Sequence, residues 1–397
     1  MKKGLRRFGV IALALILLIN SCAGAFAATT SDEITQRETN NSEFAYYAAT
    51  QGMVLLENNG ALPIAKEGKV ALFGAGARHT VKGGTGSGDV NQRAIVTVEQ
   101  GFENAGYTVT SKAYLDAYQE KYNAEYTGGG MSAPPPIDDL EDIDAYIEEA
   151  KGADWAFYVV SRNSGEFADR TNTKLDYELS DIELANITKI SAAFEKTVII
   201  LNVGGVMDTK FFKQVEGLDA MLLMSQAGMR GGDAVVAVLN GDVNPSGKLT
   251  DTWPVNYSDY ACAEYFGAND DDVNHEYYKD DIYVGYRYFD TFGVDVAYPF
   301  GYGGSYTTFA TEINDVALNG TNVVVTATVT NTGAVAGKEV VEVYFSAPDG
   351  ALEKPYQELA AYAKTKELGA GESQTLRITY PLTEMSAYSM EKAAYIL

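Results

Sequence analysis

The chain has 397 residues, of which 46% are hydrophobic and 21% are charged, and this balance is ordinary for a globular protein of two or three domains. It excludes a disordered chain, which would lack the apolar surface needed to offset the entropy of ordering. Fifty-four acidic residues against 30 basic ones give a net charge of −24. Such a field repels phosphate backbones and anionic lipid, so we expect no nucleic-acid partner, whereas neutral sugars are not repelled.

Residues 1–27 have the pattern of a Sec-type signal peptide, with a basic start, an apolar stretch at Phe8–Ile19 and a small-x-small site at Ala25–Ala27. The apolar stretch is short for a membrane span. We therefore predict a secreted or cell-surface protein, which contacts a membrane only if the leader stays uncleaved as an anchor. Cleavage would remove Cys22 and leave Cys262, so no intrachain disulfide is expected.

Residues 28–254 predict a layered α/β sandwich with a mostly parallel sheet, because short apolar runs alternate with helical stretches. Helical spacing predicts a first helix from Phe44 to near Asn58. Ser180 and Glu183 form a capping-box pattern at the start of a later helix. The predicted strands are Lys69–Gly74, Tyr107–Ser111, Trp155–Val160, Thr197–Val203 and Leu218–Met224. The further predicted helices are 95–104, 112–122, 140–150, 181–194 and 233–239.

The pattern changes after Pro254. Residues 255–305 are interpreted as a connecting segment, rich in Tyr and Asp as far as 292, and residues 306–397 predict a small β-sandwich. Its predicted strands include Val323–Val329, Val340–Phe345 and Thr375–Thr379. The last residues, 394–397, resemble the first part of an apolar strand. Because a sandwich needs its last strand to cover an edge, we expect the sandwich to be truncated and the natural polypeptide to continue.

A glycine-rich stretch, Gly83–Asp89, follows the strand at 69–74. The G-x-G-x-x-G fingerprint would need a third glycine after Gly74-Ala-Gly76, where His79 stands instead. A Walker loop would need Gly-Lys-Ser/Thr, whereas Gly88 is followed by Asp89. Asp89 would also repel a phosphate. The stretch therefore favours a loop that approaches a neutral ligand over a nucleotide site.

A second loop, Ser161–Arg170, begins where the strand at 155–160 ends, at the sheet edge where open α/β folds bind ligands. Glu166 is the candidate general acid of this loop. Phe167 beside it would raise its pKa by desolvation, and Arg170 would lower it unless Arg170 pairs with Asp169. By spacing alone, a solvated charged loop is the more common interpretation.

The remaining polar clusters do not predict a metal site. The acidic runs Asp138–Asp144 and Asp270–Asp272 lack the oxygen set and turn glycine of a calcium loop, and they are interpreted as solvated surface. His79 and His275 lie far apart in sequence, so each is interpreted as a surface or packing histidine rather than a zinc ligand.

Taken together, these motifs resemble glycoside hydrolase family 3 over nearly all of the mature chain. The motifs that carry the resemblance are Met53–Asn58, Gly83–Asn91, Ser161–Arg170, Asn244–Leu249, Val284–Phe289, Tyr298–Tyr302, Val329–Gly333 and Ala336–Val340. The last two are similar to the family's fibronectin type III-like module. The resemblance implies a retaining exo-glycosidase, most often a β-glucosidase, with Glu166 as the acid/base. It implies no cofactor and no metal, and a β-glucoside or related oligosaccharide as substrate.

The family's catalytic barrel, with its Ser-Asp-Trp nucleophile motif, has no counterpart here. Ala153-Asp154-Trp155 is superficially similar, but that aspartate precedes a strand whose far end carries Glu166. The candidates for substrate binding are Asp89, Phe167, Asp169 and Arg170. The alternative function is a non-catalytic secreted protein that binds or docks on carbohydrate, and the sequence makes no prediction of oligomeric state.

Overall fold

The computed structural model describes residues 32–128, 133–166, 170–266, 278–348, 350 and 352–397. The predicted signal peptide, Phe167, Asp169, Asp270–Asp272 and His275 lie outside the described residues. In the part of the chain that is described, no helix has the length and hydropathy that crossing a membrane requires.

Helices and strands alternate as far as Pro254, and strands dominate after Tyr306. The helices are α1 (Gln36–Gly52), α2 (Val98–Asn104), α3 (Lys112–Glu125), α4 (Asp144–Ala150), α5 (Asp181–Ala193), α6 (Phe211–Gln214), α7 (Gly231–Leu239) and α8 (Tyr286–Phe292). The strands of the first part are β1 (Val54–Asn58), β2 (Lys69–Phe73), β3 (Thr108–Val109), β4 (Trp155–Arg162), β5 (Thr197–Val203), β6 (Leu218–Leu223), β7 (Trp253–Pro254) and β8 (Val296–Tyr298). The later strands are β9 (Phe309–Asn319), β10 (Asn322–Asn331), β11 (Val340–Phe345), β12 (Glu358–Lys364), β13 (Ser373–Pro381), β14 (Ala387–Ser389) and β15 (Ala394–Ile396).

The main sheet joins six of the described strands in the order β1-β6-β5-β4-β2-β3. β2 to β6 run parallel, as predicted, and the central residues of β2, β4, β5 and β6 are fully buried. The carboxyl ends of β2, β4, β5 and β6 therefore meet along one edge. The loops that follow these strands carry the candidate site.

The prediction of one helix from Phe44 to near Asn58 is wrong in its second half. The helix ends at Gly52, and Val54–Asn58 is instead an antiparallel edge strand paired with β6. Val54, Leu55 and Leu56 are buried in succession, which is compatible with a strand covered on both faces, and their pairing with β6 makes the segment a strand. The described part of the segment predicted as a connection also contains helix α8 and strand β8.

Helices α2 and α7 pack on the sheet with unusually close backbones. A Cβ atom on Gly232 would lie 1.9 Å from the carbonyl oxygen of Thr97, and one on Gly101 would lie 2.1 Å from the carbonyl oxygen of Gly232. Thr97 also caps α2 by accepting a hydrogen bond from the Gln100 amide. Glycine at both positions is therefore required for the two helices to approach this closely.

The second part is a β-sandwich in which β13, β10 and β9 form one antiparallel sheet and β11 pairs with β12. Its core contains Val325, Val329, Leu376 and Ile378. The predicted strands in this region are observed, whereas β9 and β12 were missed because they lack a buried alternating pattern. Residues 394–396 form β15, which pairs back onto β14.

The two parts join around Asn244. Its Oδ1 accepts hydrogen bonds from the Ser305 hydroxyl (2.8 Å) and the Tyr306 amide (2.9 Å), and its Nδ2 donates to the Ala336 carbonyl (2.9 Å). A Cβ atom on Gly337 would lie 2.7 Å from Nδ2, so only glycine fits beside this side chain. One asparagine thereby links the α/β domain, the end of the connecting segment and the β-sandwich.

Candidate active site

The glycine-rich loop and the loop that carries Glu166 are bonded to each other through their backbones. The Thr85 amide donates to the Ser164 carbonyl at 3.0 Å, and the Thr85 hydroxyl donates to the same oxygen at 3.2 Å. Both loops follow parallel strands, so the sheet edge brings them together as the sequence predicted for ligand-binding loops.

Glu166 is held by this contact. The Ser87 amide donates a hydrogen bond of 2.7 Å to Oε1 of Glu166. Gly86, the residue before Ser87, has a φ of +71°. A Cβ atom on Gly86 would lie 2.8 Å from the carboxyl carbon of Glu166. A glycine is therefore needed at residue 86 both for its backbone conformation and for the space that the carboxylate occupies.

The expected rise in the pKa of Glu166 is wrong for this chain. Hydrogen bonds from the Ser87 side chain and backbone lower the pKa of Glu166, because they stabilise the charged carboxylate. The carboxylate is solvent-accessible on its other side, so burial opposes this only weakly. Ser87 lies 79 positions from Glu166 in sequence, so the adjacent residue Phe167 gave no indication of this contact.

Asp89 and Arg170 are both engaged in ion pairs. The Lys82 ammonium lies 2.7 Å from an oxygen of Asp89, whose side chain remains largely exposed at the mouth of the glycine-rich loop. Arg170 donates to Asp176 at 2.7 Å and to the Val206 carbonyl at 2.7 Å. Among the described residues, Arg170 pairs with Asp176, a residue that the sequence did not single out.

Asp176 folds the loop back onto Arg170. Burial opposes its ionisation, but hydrogen bonds from the Thr171 amide (2.5 Å) and from Arg170 outweigh burial and lower its pKa. Arg170 thus anchors its loop to the segment that follows β5, through the Val206 carbonyl, and the guanidinium has a structural role.

A buried ion pair supports the base of the same loop. Arg162, the last residue of β4, binds Glu183 with two hydrogen bonds of 2.6 and 2.9 Å, and both side chains are at most 5% exposed. The guanidinium also donates to the carbonyls of Ser161 and Asp176. Glu183 in turn completes the predicted capping box with Ser180, so the helix start and the loop share one charge pair.

Asn202 holds the second loop of the site. From the fully buried interior of β5, its Oδ1 accepts from the Val81 amide at 2.6 Å, and its Nδ2 donates to the carbonyls of Val81 and Ser225. It fixes the start of the glycine-rich loop relative to the loop after β6. Sequence reasoning missed it because a single Asn in an apolar strand carries no motif.

The interpretation of Asp138–Asp144 as solvated surface is wrong for Asp139, which is 2% exposed. Its carboxylate accepts hydrogen bonds from the hydroxyls of Tyr114 (2.5 Å) and Tyr158 (2.8 Å) and from Asn186 (2.9 Å). These partners come from α3, β4 and α5. Asp139 therefore links α3, β4 and α5 through hydrogen bonds, and its role is structural rather than catalytic.

His79 is a packing histidine, one of the two roles expected for it. Its ring stacks on Tyr122 with centroids 3.6 Å apart, and burial lowers its pKa to about 4. Within the described residues, no three His, Cys, Asp or Glu side chains group as metal ligands would.

Asp154 cannot act with Glu166. It precedes β4 and accepts a hydrogen bond from the Lys69 amide at 2.8 Å, at the amino end of the strands. Glu166 follows the other end of β4, and eight extended residues separate the two ends by roughly 25 Å. A retaining pair of carboxyls needs a separation of ~5–5.5 Å.

Two clefts flank the loop after β4. One, of about 430 Å³, lies beside the carboxyl end of α3 and is lined by His79, Tyr122 and charged residues of the loop. The other, of about 460 Å³, lies beside the connecting segment, and its lining includes Tyr177, Tyr257 and Tyr260. Ser164 and Gly165, directly before Glu166, line both.

The comparisons with known proteins agree with this architecture. Residues 53–306 match the glycosyl hydrolase family 3 C-terminal domain. The chain belongs to glycosyl hydrolase family 3. Residues 339–397 match the fibronectin type III-like domain, so the β-sandwich of this family 3 chain is of that type.

The similar curated proteins include β-glucosidases and two exo-alpha-(1->6)-L-arabinopyranosidases from Bifidobacterium. Beta-glucosidase A of Butyrivibrio fibrisolvens is 39% identical over 89% of this chain and 48% of its own length. Beta-glucosidase of Ruminococcus albus is 38% identical over 85% of this chain and 36% of its own length. The solved structure of beta-glucosidase 3B from Thermotoga neapolitana in complex with glucose matches with a TM-score of 0.83 and 38% identity, over 88% of this chain and 50% of that one. This family 3 chain thus spans about half the length, or less, of the relatives that it matches.

Proposed function

We propose that this chain supplies the acid/base half of a retaining β-glucosidase, with Glu166 as the acid/base and no cofactor. The observation that carries the proposal is the position of Glu166, held by the Ser87 amide at the carboxyl ends of the parallel strands. Its surroundings, Ser-Gly-Glu-x-x-Asp-Arg, resemble the family's acid/base motif. The relatives from Butyrivibrio fibrisolvens and Ruminococcus albus are β-glucosidases, which supports a β-glucoside as substrate.

In this mechanism Glu166 acts twice. It first donates its proton to the glycosidic oxygen while the nucleophile, an aspartate of the family's barrel, attacks the anomeric carbon and the leaving group departs. It then takes a proton from water, which attacks the anomeric carbon and releases the sugar and the aspartate. The carboxyl must therefore be protonated before the first step.

The lowered pKa of Glu166 in this chain sets a requirement for the complete site. Covering the carboxylate with a barrel would remove solvent, and a nucleophile carboxylate nearby would repel its charge. Both effects raise the pKa toward that of a general acid. We expect the pKa of Glu166 to be lower in the present chain than in a complete enzyme, which carbon NMR of the labelled carboxyl measures.

The test is Glu166→Gln in a complete enzyme that contains this chain. Glutamine can still accept the Ser87 hydrogen bond, so the loop should keep its position. Hydrolysis of cellobiose should fall by roughly 10²–10⁴-fold, because proton transfer to a poor leaving group is lost. Activated aryl glucosides should lose less in the first step, and azide should partly restore their turnover.

The matched control is Glu178→Gln, which removes a carboxylate from the same loop and should leave hydrolysis within about threefold. Unchanged cellobiose hydrolysis in Glu166→Gln would refute the assignment. Binding of β-glucosides without any turnover by the complete natural protein would favour the carbohydrate-binding alternative.

Export is a separate part of the proposal. The basic, apolar and small-x-small order of residues 1–27 supports a signal peptide cleaved after Ala27. Amino-terminal sequencing of the natural protein should then begin at Ala28. A start at Met1 would contradict cleavage.

A further inference from the structure

Three lysines meet where the α/β domain joins the β-sandwich. Lys248 belongs to the α/β domain, Lys338 lies two residues before β11, and Lys364 is the last residue of β12. Nζ of Lys338 donates to the side-chain oxygen of Gln51 at 3.1 Å, and Nζ of Lys364 donates to the carbonyl of the same residue at 3.3 Å. Lys248, Lys338 and Lys364 are called the lysine cluster below.

The lysine cluster carries more positive than negative charge. Its acidic partner is Glu339, whose carboxylate lies 2.7 Å from Nζ of Lys248 and also accepts a hydrogen bond from the Val340 amide. In the described part of the chain, Lys338 and Lys364 form no ion pair with a carboxylate. A further negative charge among these ammonium groups would therefore be attracted by them.

The amine of Lys364 is more reactive than that of a surface lysine. Its side chain is half-buried, and burial together with the charges of Lys338 and Lys248 lowers its pKa to about 8, which the charge of Glu339 opposes. At pH 8 about half of the Lys364 side chains are then neutral, against roughly 0.3% for a lysine with the ordinary pKa of 10.5. The neutral amine is the form whose lone pair attacks an electrophile.

The charges of the lysine cluster favour an electrophile that leaves an anion on the nitrogen. Acyl transfer leaves a neutral amide, which would gain little from the ammonium groups of Lys338 and Lys248. Carbon dioxide leaves a carbamate: the lone pair of the amine forms a C–N bond, one C=O electron pair moves onto oxygen, and the nitrogen releases a proton to water. The product, R–NH–COO⁻, keeps an N–H that can still donate to the Gln51 carbonyl. Its charge and that of Glu339 would balance the two remaining ammonium groups.

We propose that Lys364 forms a carbamate with carbon dioxide and that Lys338 and Lys248 stabilise the negative charge of this carbamate. Repulsion among three ammonium groups would then be replaced by attraction at the junction of the two domains. Carbon dioxide would be a reversible ligand of this junction, and the proposal is independent of the role of Glu166.

The experiment adds bicarbonate labelled with carbon-13 to the present chain at pH 8 and follows the carbamate carbon by NMR. We expect a carbamate signal that the buffer without protein lacks, and Lys364→Arg should abolish it. The matched control is Lys366→Arg, which changes a largely exposed lysine that is paired with Glu372 and should leave the signal unchanged.

Variants of Lys338 test the contribution of the neighbouring charge. Lys338→Gln should reduce the carbamate signal about tenfold, because it removes an ammonium group beside the carbamate and also makes the Lys364 amine easier to protonate. Lys338→Arg keeps the positive charge and should restore most of the signal.

A second measurement needs no variant and therefore does not depend on the folding of one. The carbamate in the unaltered chain is trapped as an ester by alkylation with a trialkyloxonium salt, and peptide mass spectrometry locates it. The yield of trapped ester should be at least about ten times higher at Lys364 than at Lys366, because far more of the Lys364 amine is neutral at pH 8.

Equal yields at Lys364 and Lys366, a carbamate signal that survives Lys364→Arg, or a signal that Lys338→Gln leaves unchanged would overturn the proposal. The absence of any carbamate at pH 8 would overturn it as well. Hydrolysis has no part in these measurements, so their outcome is separate from that of Glu166→Gln.

Discussion

The buried pair of Arg162 and Glu183 gives the most direct test of how the candidate site is held. Glu183→Gln keeps the shape of the side chain and an oxygen that can cap α5, but it removes the negative charge. Arg162 would then remain as a positive charge only 4% exposed, without its counter-ion. Breaking a buried pair in this way costs about 3–5 kcal/mol. Because Glu183→Gln would keep some of the hydrogen bonds, we expect a loss of about 3 kcal/mol.

The assay is guanidinium unfolding followed by tryptophan fluorescence. The chain has two tryptophans, Trp155 in β4 and Trp253 in β7, so the signal reports on the α/β domain rather than the β-sandwich. For a domain of this size, a loss of about 3 kcal/mol corresponds to a fall in Tm of roughly 6–12 °C.

The control is Asp181→Asn, two residues earlier in the same helix. It breaks an ion pair with Lys174 whose side chains are 57% and 80% exposed, and it should cost less than about 1 kcal/mol. Adding Arg162→Gln to Glu183→Gln removes the unpaired charge and should recover part of the loss. Equal costs for the two single variants, or no recovery in the double variant, would refute the reasoning.

Further expected outcomes concern pH and packing. The pKa of His79 is about 4 in the folded chain and 6.5 in the unfolded chain, so the free energy of unfolding should fall as pH drops from 6.5 to 4. His79→Phe keeps a ring stacked on Tyr122 and should reduce this pH dependence in denaturation curves. Burial lowers the pKa of Lys364 from 10.5 to about 8, so the unfolded state binds more protons than the folded state between these pH values. The free energy of unfolding should therefore rise above pH 8, and Lys364→Met should abolish this rise. Gly86→Ala should displace Glu166 from the Ser87 amide, and carbon NMR should then show the pKa of Glu166 returning toward its ordinary value. Val329→Ala, at a fully buried site, should cost the β-sandwich about 2 kcal/mol by calorimetry.

Local patterns in the sequence predicted the framework of the α/β domain. The buried runs of β4, β5 and β6 and the capping box at Ser180 and Glu183 depend on neighbours within a few residues, and all are observed. The first helix was extended too far because Leu55 continues the helical spacing by coincidence. Its burial in an edge strand depends on pairing with Leu222, which lies far away in sequence.

The surroundings of the site could not be predicted for the same reason. Glu166 was assigned an apolar neighbour from the adjacent position, yet its carboxylate meets the Ser87 amide from another loop. Asp139 was placed on the surface because its run is acidic, whereas its partners come from three separate elements. Tertiary contacts determine both the burial and the pKa of such groups, and one sequence contains no direct record of them.

The junction at Asn244 bears on how such modules can be exchanged between proteins. A chimaera that replaced only the β-sandwich would set Asn244 against a foreign segment in place of the Ala336 carbonyl and of Gly337, where any side chain would collide. The Ser305 and Tyr306 contacts would also need to survive the splice. Successful grafts should therefore transfer the loop that contains Asn244 together with the β-sandwich. The segment that can be exchanged between proteins is thus longer than the β-sandwich alone.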